Sequence, residues 1–588
     1  MKSFDSYFTD EHIIKLLCRF RLKYAKQRHK IHLLRDISLH DSTLKSFRDR
    51  YHSPPELSSI LPPRRKWIRL KPSQRAAFTS STDIALEEIR KTILTTQIRI
   101  ASGEMDAPLW YSNLLIFIEN VKNRISGIDK NPIQKPKIIP IRKENKITCR
   151  KFRPISQYEL IDRIIIGQTA RYLTLMFDDQ LMDCSFAFRA KKKGVGVKTH
   201  HDAIQEIQAF RLRHVGQEIY VAECDIKKFF DCVEHGHIKG VFLSFVKNAK
   251  LKYETYDDRA TDIFFQYLGS YAFNVDVYSL KGTSYFERPG FENGEFEWPE
   301  RLLTSEFYNN LNDKRIGVPQ GGALSCLIAN LILHDVDRRV LIGGESKDLL
   351  FLRFCDDMIL LATTRDLCEQ ALSRYVDGIK ANYLLIHEPK ELIKYSNQFY
   401  NSDISKSKKP FLWASTKGSE NASPWISFVG YQIRYDSAIR VRKKSLQKEV
   451  KKQEKETGEV LRAIRSREKE KLDLHSRKSL KQQIIALESR LIAMSVGRHK
   501  LYNYKVKEPA LCWTNGFKIL SFNHVSKSQL KYLDSRRNRQ LFILKRELSN
   551  LKKASEKPDL LQKPNKFNGT PFSYFGFLAR KMNDAKRK

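Results

Sequence analysis

Two adjacent carboxylates, Asp356 and Asp357, stand between two short, largely apolar runs and constrain this chain more than any other feature. The runs at 351–354 and 358–362 predict two strands that are joined by a tight turn. Two acidic side chains at such a turn repel each other, whereas an ordinary hairpin favours Asn-Gly or Asp-Gly there. A divalent cation would remove the repulsion. A solvated surface turn is the alternative that this segment alone leaves open.

The charge of the chain predicts a polyanionic partner. Its 106 Lys and Arg residues against 67 Asp and Glu residues give a formal net charge of +39, far more than solubility requires. The basic residues run through every region together with 34 Phe and 24 Tyr, which suits base stacking and favours nucleic acid over an acidic membrane surface. The length of 588 residues predicts two to four domains.

The cysteines and the apolar runs predict a reduced, intracellular protein without membrane association. The nine cysteines stand singly, without a CxxC pair or a His-Cys cluster at zinc spacing. The first residues lack the pattern of a secretory signal, and no run approaches the roughly 18 apolar residues of a spanning helix.

A basic hairpin is predicted within residues 135–156, because alternating apolar residues flank a polar turn. It carries Lys143, Arg150, Lys151 and Arg153, which could converge on one phosphate group. A solvated basic hairpin is the alternative.

A second carboxylate position follows a strand that is predicted from residue 219. The two-residue period places Glu223 and Asp225 on one face, and a carboxylate at the end of a buried strand is a common metal ligand. The alternative for Asp225 is a cap of the next helix. Asp231 falls on that helix, where it could be only an exposed charge.

A glycine-rich segment, residues 315–325, predicts close backbone approach to a ligand immediately before a helix. Gln320, Gly321 and Gly322 would lie at the helix N-terminus, which favours an anion or a planar base. The predicted helix has an apolar stripe at i, i+3, i+4 and i+7. This stripe consists of Leu324, Leu327, Ile328 and Leu331.

These features occur in the order of the motifs of reverse transcriptases, which the chain resembles over about residues 130–435. Asp225-Ile-Lys-Lys-Phe-Phe-Asp231 resembles the first catalytic motif, 317–325 the second, and Phe354-Cys-Asp-Asp357 the third, with Phe in place of the more frequent Tyr. The basic hairpin that ends in Arg153-Pro154 and the segment 185–189 are similar to the fingers motifs of bacterial group II intron and retron-type members. Residues 387–390 and 428–431 resemble two later palm motifs.

The resemblance implies an α+β fold: a right-hand polymerase whose antiparallel palm sheet packs on helices. The expected domains are a basic helical extension (1–80), fingers (81–215), a palm (216–435) with an insertion at about 250–312, a helical thumb (436–510) and a basic C-terminal region (511–588). Residues 250–312 are polar and aromatic without a clear period. In the thumb, Leu446, Val450, Gln453, Thr457, Leu461 and Ile464 fall near heptad spacing.

The resemblance also implies two-metal phosphoryl transfer from dNTPs. Asp225 and Asp356 would hold two Mg²⁺ ions, with Asp357 assisting, Ile226 as a further ligand and Mn²⁺ as a substitute. An all-oxygen carboxylate site suits magnesium better than zinc.

The same resemblance supplies the substrate-binding residues. Lys143 and Arg153 would bind the triphosphate, although the register between Lys143 and Arg142 is open. Phe230 matches the ribose-selecting position and predicts dNTP over rNTP. The remaining substrate-binding residues are Gln320 and Gly321 beside the nascent base pair and template, and Arg189 and Lys390.

The expected function is an RNA-directed, or else template-independent, DNA polymerase in bacterial antiviral defence. The chain lacks an HNH-like cluster and an RNase H carboxylate set, and its long flanks resemble the solitary bacterial reverse transcriptases associated with phage defence. A retron or group II intron-type enzyme is the first alternative, and a non-catalytic RNA-binding scaffold is the second. The expected partners in the bacterial cytoplasm are an RNA template, for which a dedicated noncoding RNA is one source, a DNA product, dNTPs, and a second copy or an accessory protein.

Overall fold

The computed structural model has two compact units, one comprising Met1–Ile13, Ile116–Val429 and Arg434–Ser437, the other Ile14–Leu115, Gly430–Ile433 and Ala438–Lys588. The structure describes residues 2–37, 55–78, 81–127, 132–143, 150–191, 196–280, 284–287, 291, 293–342, 344, 346–391, 407–416, 419, 421–469, 480–496, 512–521, 523–553 and 573–576. Much of the predicted C-terminal region therefore lies outside the described residues.

Helices and strands are both present, which confirms the mixed α+β class; the division into fingers, palm and thumb and the domain boundaries stay predictions. The strands are β1 (Lys137–Arg142), β2 (Phe152–Gln157), β3 (Ile219–Glu223), β4 (Leu349–Phe354), β5 (Asp357–Ala362), β6 (Lys408–Trp413), β7 (Trp425–Phe428), β8 (Tyr431–Arg434) and β9 (Ile439–Val441). The helices are α1 (Asp10–Ile37), α2 (Pro55–Ser59), α3 (Pro72–Ala76), α4 (Ser81–Ala101), α5 (Leu109–Ser126), α6 (Leu160–Phe177), α7 (His200–Arg213), α8 (Phe229–Cys232), α9 (His235–Lys252), α10 (Arg259–Gly269), α11 (Glu300–Glu306), α12 (Ala323–Val340), α13 (Arg365–Ala381), α14 (Lys443–Lys469), α15 (Leu480–Val496), α16 (Trp513–Gly516) and α17 (His524–Lys553). Among the described residues, no helix has both the length and the apolar character that crossing a bilayer requires.

The centre of the first unit is a four-stranded antiparallel sheet with the strand order β4-β5-β3-β6. Strand β3 lies inside the sheet, and its residues Val221 and Ala222 are fully buried between β5 and β6. The antiparallel pairing of β3 with β5 brings the end of β3 to the same edge of the sheet as the turn between β4 and β5.

Helices α12 and α13 pack on each other, and α13 also packs on β3, β5 and β6. The four predicted stripe residues of α12, Leu324 to Leu331, are all buried, as the helical period requires. This helix therefore begins where the sequence places it, directly after the glycine-rich segment.

The predicted basic hairpin is present as β1 and β2, which pair from Lys137 opposite Gln157 to Arg142 opposite Phe152. Its predicted turn lies outside the described residues. Phe152, the first residue of β2, packs into a largely aromatic cluster whose other buried members come from the predicted insertion. The buried members of this cluster are Phe152, Tyr271, Phe273, Val277, Phe286 and Phe296.

The prediction that the insertion, about 250–312, has no clear period is wrong for the first part of that range. Helix α10 begins at Arg259 and buries one face of the i, i+3, i+4 kind. That face consists of Ala260, Ile263, Phe264, Tyr267 and Leu268. Phe264 stacks on Phe242 with 3.8 Å between the ring centres, so aromatic residues form part of this stripe, which neighbouring polar residues obscure in the sequence.

In the second unit, α14 packs on α17, and α15 packs on both. The six predicted heptad positions of α14, from Leu446 to Ile464, are all buried. Two of them are polar: Gln453 donates to the Tyr574 hydroxyl at 3.0 Å, and Thr457 donates to the Gln453 carbonyl at 3.1 Å. The heptad spacing predicts helices that pack through these positions, and hydrogen bonding explains how polar residues occupy the buried positions.

Candidate functional site

A cavity of about 830 Å³ in the first unit is bounded by the end of β3, helix α8, the β1–β2 hairpin and the glycine-rich segment. Most of the predicted site residues line it together, although they are far apart in the sequence. They are Lys143, Arg153, Asp225, Ile226, Phe230, Gln320, Gly321 and Asp356. The roles assigned to these residues stay predictions.

Asp225 follows β3 and is held by its main chain. Its N–H donates to the Ser407 hydroxyl at 2.9 Å, and its carbonyl accepts from the N–H of His387 at 2.8 Å. The His387 Nε2 atom also lies 3.5 Å from Asp225 Oδ2. The Asp225 carboxylate is 26% exposed, so it is fixed in position and still accessible from the cavity. Its neighbour on the same strand face, Glu223, pairs instead with Lys408.

The β4–β5 hairpin separates the two adjacent carboxylates. Phe354 pairs with Asp357, so the two-residue turn consists of Cys355 and Asp356, and Asp357 is already the first residue of β5. Cys355 has a φ of +60°, a strained value for a residue that is not glycine. Asp356 lines the cavity, whereas Asp357 is exposed and does not line it. The expectation that both residues sit in the turn is therefore corrected by the pairing register.

A buried ion pair supports this turn from inside. The Arg353 guanidinium donates to both carboxylate oxygens of Asp337 at 2.8 and 2.7 Å, and neither side chain is exposed at all. Its remaining nitrogen donates to the Cys355 carbonyl at 3.1 Å and to Asn330 Oδ1 at 3.1 Å. Arg353 thus connects the carbonyl of the strained turn residue to helix α12.

Arg189 and Lys390, two predicted substrate-binding residues, do not line the cavity. The Arg189 guanidinium is buried, donates to Asp178 Oδ1 at 2.7 Å and to the Met182 carbonyl at 2.8 Å, and so stabilises its own loop. Lys390 is exposed and forms a main-chain bridge with Lys408 at the sheet edge. The sequence leaves open whether Lys143 or Arg142 is the triphosphate-binding residue of the hairpin. Lys143 lines the cavity, whereas the Arg142 guanidinium lies 5.4 Å from the centre of the Phe152 ring.

Asp231 is a cavity residue whose importance the sequence did not indicate. Its side chain is 2% exposed, not an exposed charge, and its Oδ1 accepts from Gln320 Nε2 at 2.6 Å. Burial raises the pKa of Asp231 to about 6, against the opposing effects of the Gln320 hydrogen bond and of the charges of Lys228, Lys143 and Arg153. The carboxylate thereby holds the Gln320 side chain in one orientation at the cavity wall.

The glycine-rich segment forms the cavity floor next to β2. The Ser156 N–H donates to the Gln320 carbonyl at 3.0 Å, and Gly321 has a φ of +94°. A Cβ at Gly322 would lie 1.9 Å from the Tyr267 hydroxyl, so only glycine fits at the start of α12. These constraints account for the two successive glycines.

A second unforeseen residue, Glu297, lies among the cavity cations. Its carboxylate accepts from Lys143 Nζ at 2.7 Å, pairs with Lys151, and lies 3.5 Å from Lys228 Nζ. Burial would raise the pKa of Glu297, but the lysines outweigh it and lower the pKa to about 2. Burial and the adjacent Lys143 lower the pKa of Lys228 to about 8. No local sequence signal singles out Glu297 within its polar segment.

The cavity offers carboxylate oxygens to a metal ion. Asp225 and Asp356 both line it, and Ile226 beside them could contribute only its main-chain carbonyl. Within the described residues, no group of three His, Cys, Asp or Glu side chains is close enough to hold an ion. The donors fit a hard divalent cation that takes its remaining ligands from substrate and water.

No protein-family model and no curated protein matches this chain. Similar solved structures include telomerase from Candida albicans in complex with the TWJ fragment of telomeric RNA, at 12% identity and a TM-score of 0.29, covering 82% of this chain and 78% of that one. Apo telomerase from Candida tropicalis is 12% identical with a TM-score of 0.32, covering 92% and 82% of the two chains. These values are too low to assign a function to this chain.

Proposed function

We propose that this chain is a reverse transcriptase, an RNA-directed DNA polymerase that uses dNTPs. The observation that carries the proposal is the meeting of two carboxylates, Asp225 and Asp356, with the cations Lys143, Arg153 and Lys228 at one cavity. Carboxylates for divalent ions beside cations for phosphate groups are the parts that phosphoryl transfer requires.

In this proposal, Asp225, Asp356 and the Ile226 carbonyl hold Mg²⁺, which would activate a 3′-hydroxyl and neutralise the developing charge on the phosphates. Lys143 and Arg153 bind the triphosphate from the hairpin side of the cavity. Asp357 assists from outside the cavity wall.

The cavity wall would position the rest of the nucleotide. Phe230 lies under the sugar, where an aromatic ring excludes a 2′-hydroxyl. The Gln320–Gly321 segment borders the new base pair, with Gln320 fixed by Asp231 at 2.6 Å. Water is excluded by the packing of base, sugar and ring, which strengthens the electrostatic contacts to the phosphates.

The proposed biological setting is the bacterial cytoplasm, as a solitary enzyme of the group II intron and retron type that acts in antiviral defence. This setting is supported by the resemblance of the sequence motifs and long flanks alone. Its partners would be an RNA template and the DNA product, and a retron or intron role would be recognised by the identity of the bound RNA.

The test is primer extension on an RNA template with dNTPs and Mg²⁺. Asp225→Asn and Asp356→Asn should each lower the rate at least about 1000-fold, since each removes a charged ligand needed in the transition state. Asp357→Asn should lower it less. Asp348→Asn, at a side chain that is 61% exposed, is the matched control and should leave the rate unchanged.

Unchanged extension by both Asn variants would refute the assignment of Asp225 and Asp356 as metal ligands, and absence of extension by the wild-type protein would refute the polymerase proposal. A protein that still binds structured RNA but extends no primer would be the scaffold. Sequencing the nucleic acid that co-purifies with the wild-type protein then separates the roles, because a retron enzyme carries its own DNA–RNA product and an intron enzyme its intron RNA.

A further inference from the structure

The Glu297 carboxylate is the centre of a three-lysine cluster, in which Glu297, Lys143 and Lys228 line the cavity and Lys151 does not. Lys143 and Lys228 approach its Oε2 atom at 2.7 and 3.5 Å, and Lys151 approaches Oε1. Lys228 also donates to the Glu297 carbonyl at 3.0 Å. Glu297 is 29% exposed, so the cluster is open to the cavity and its carboxylate can be reached by a ligand.

The main chain on both sides fixes Glu297 in this position. Glu295 pairs with the hairpin, since its N–H donates to the Arg150 carbonyl at 2.8 Å and its carbonyl accepts from Phe152 at 3.0 Å. On the other side, the Trp298 indole N–H donates to the Asp231 carbonyl at 2.8 Å. Glu297 is therefore held at the lysines by the fold and is not a chance surface contact.

The cluster has the chemistry of an anion site. Three ammonium groups that converge on one point repel one another unless an anion lies between them. A carboxylate supplies one negative charge and two acceptor oxygens there, whereas a phosphate group of a nucleotide supplies more of both. A nucleotide phosphate should therefore compete with Glu297 for the same lysines.

We infer that Glu297 is an internal competitor that occupies the phosphate-binding lysines in the free protein and is displaced by the phosphates of an incoming nucleotide. The identity of the nucleotide rests on the proposed function, but the anion site does not. Because a triphosphate carries more charge than pyrophosphate, the carboxylate is displaced by substrate more readily than by product. Its return to the lysines would assist pyrophosphate release.

The low pKa of Glu297, about 2, agrees with this competition. The carboxylate stays ionised throughout the physiological range, so protonation does not release it from the lysines. Displacement by another anion is a route that does not require protonation of Glu297.

The experiment measures binding of inorganic triphosphate to the full-length protein by calorimetry at fixed ionic strength. Glu297→Gln should bind it at least about tenfold more tightly than wild type, because the competing charge is gone. Glu300→Gln is the matched control: it removes the same charge from the same segment, but its carboxylate accepts from the Tyr278 hydroxyl at 2.9 Å and does not line the cavity. It should stay within about twofold of wild type.

Equal or weaker binding by Glu297→Gln, or an equal gain in Glu300→Gln, would overturn the inference. If thermal unfolding shows that the Gln variant does not fold, Glu297→Asp provides the comparison, since it keeps the charge and withdraws the carboxylate by one methylene. It should bind triphosphate more tightly than wild type, and unchanged affinity would again overturn the inference. Primer extension is measured separately, so a failed polymerase proposal and a failed anion site give different results.

Discussion

Phe230 lies on the cavity wall five residues after Asp225, with its ring centre 5.1 Å from that of Phe229 in an edge-on arrangement. Phe230→Ala should raise the use of rNTPs relative to dNTPs by roughly tenfold or more, because it opens space for a 2′-hydroxyl. The measurement is the ratio of kcat/KM for the two nucleotides. Phe188→Ala, an aromatic side chain that is 45% exposed away from the cavity, should leave the ratio unchanged. If Phe230→Ala does not raise the use of rNTPs, Phe230 does not select against the 2′-hydroxyl of the sugar.

Asp231 predicts a pH dependence of stability. Its pKa is raised from 3.8 to about 6, so the folded protein binds this proton more tightly than the unfolded chain. The associated stability is fully present below about pH 4 and is lost as the pH rises through 6. Relative to Asp231→Asn, the wild-type protein should therefore lose on the order of 3 kcal/mol between pH 4 and 7.

Urea unfolding of the two proteins at several pH values measures this difference. Asn keeps an acceptor for Gln320 Nε2, so the variant retains the hydrogen bond while it removes the titrating group. Asp313→Asn, whose carboxylate accepts from the exposed Asn310, is the control and should run parallel to wild type. Parallel curves for wild type and Asp231→Asn would contradict the burial argument.

At the scale of elements, the β4–β5 hairpin depends on a buried ion pair. Arg353→Met should destabilise the first unit by about 3–5 kcal/mol, because it leaves the Asp337 carboxylate buried without its partner. The double change Arg353→Met with Asp337→Leu should recover most of the loss. Chemical denaturation measures both.

The matched control is Arg365→Met, which breaks an exposed i,i+4 pair with Glu369 at 2.7 Å and should cost less than about 1 kcal/mol. If Arg353→Met were as mild as this control, the turn would not depend on the pair. If Arg353→Met is stable but its primer extension is impaired, the role of the Arg353–Asp337 ion pair is instead to position Asp356.

Elements with a simple period were predictable, and contacts between distant elements were not. The stripe of α12 and strands β3, β4 and β5 follow from local patterns. The position of Asp225 follows from where β3 ends, and that of Asp356 from where β4 ends. The burial of Asp231 depends on Gln320 and Trp298, far along the chain. The position of Glu297 depends equally on pairing with the hairpin, and Arg189 turns inward because Asp178 attracts it, so no local pattern indicates any of the three.

At the scale of the whole molecule, the net charge of +39 predicts strongly salt-dependent binding of nucleic acid. If six to ten phosphates are neutralised, affinity for an RNA–DNA duplex should fall by roughly 10³–10⁵ between 50 and 200 mM salt. Fluorescence anisotropy at several salt concentrations gives the slope. Asp356→Asn should share this slope, because Asp356 is a proposed metal ligand and not a proposed phosphate contact. A flat dependence would contradict a phosphate-dominated interface.

The aromatic cluster has a consequence for synthesis on the ribosome. Phe152 belongs to a hairpin that is complete by Gln157, but its buried partners run from Tyr271 to Phe296. The ribosome adds roughly 5–20 residues per second. The nascent hairpin therefore exists for on the order of 10 s before the partners of Phe152 are synthesised, with its large apolar ring uncovered. This interval is a window in which a chaperone could bind the emerging chain, and slowing translation between these residues should lengthen it.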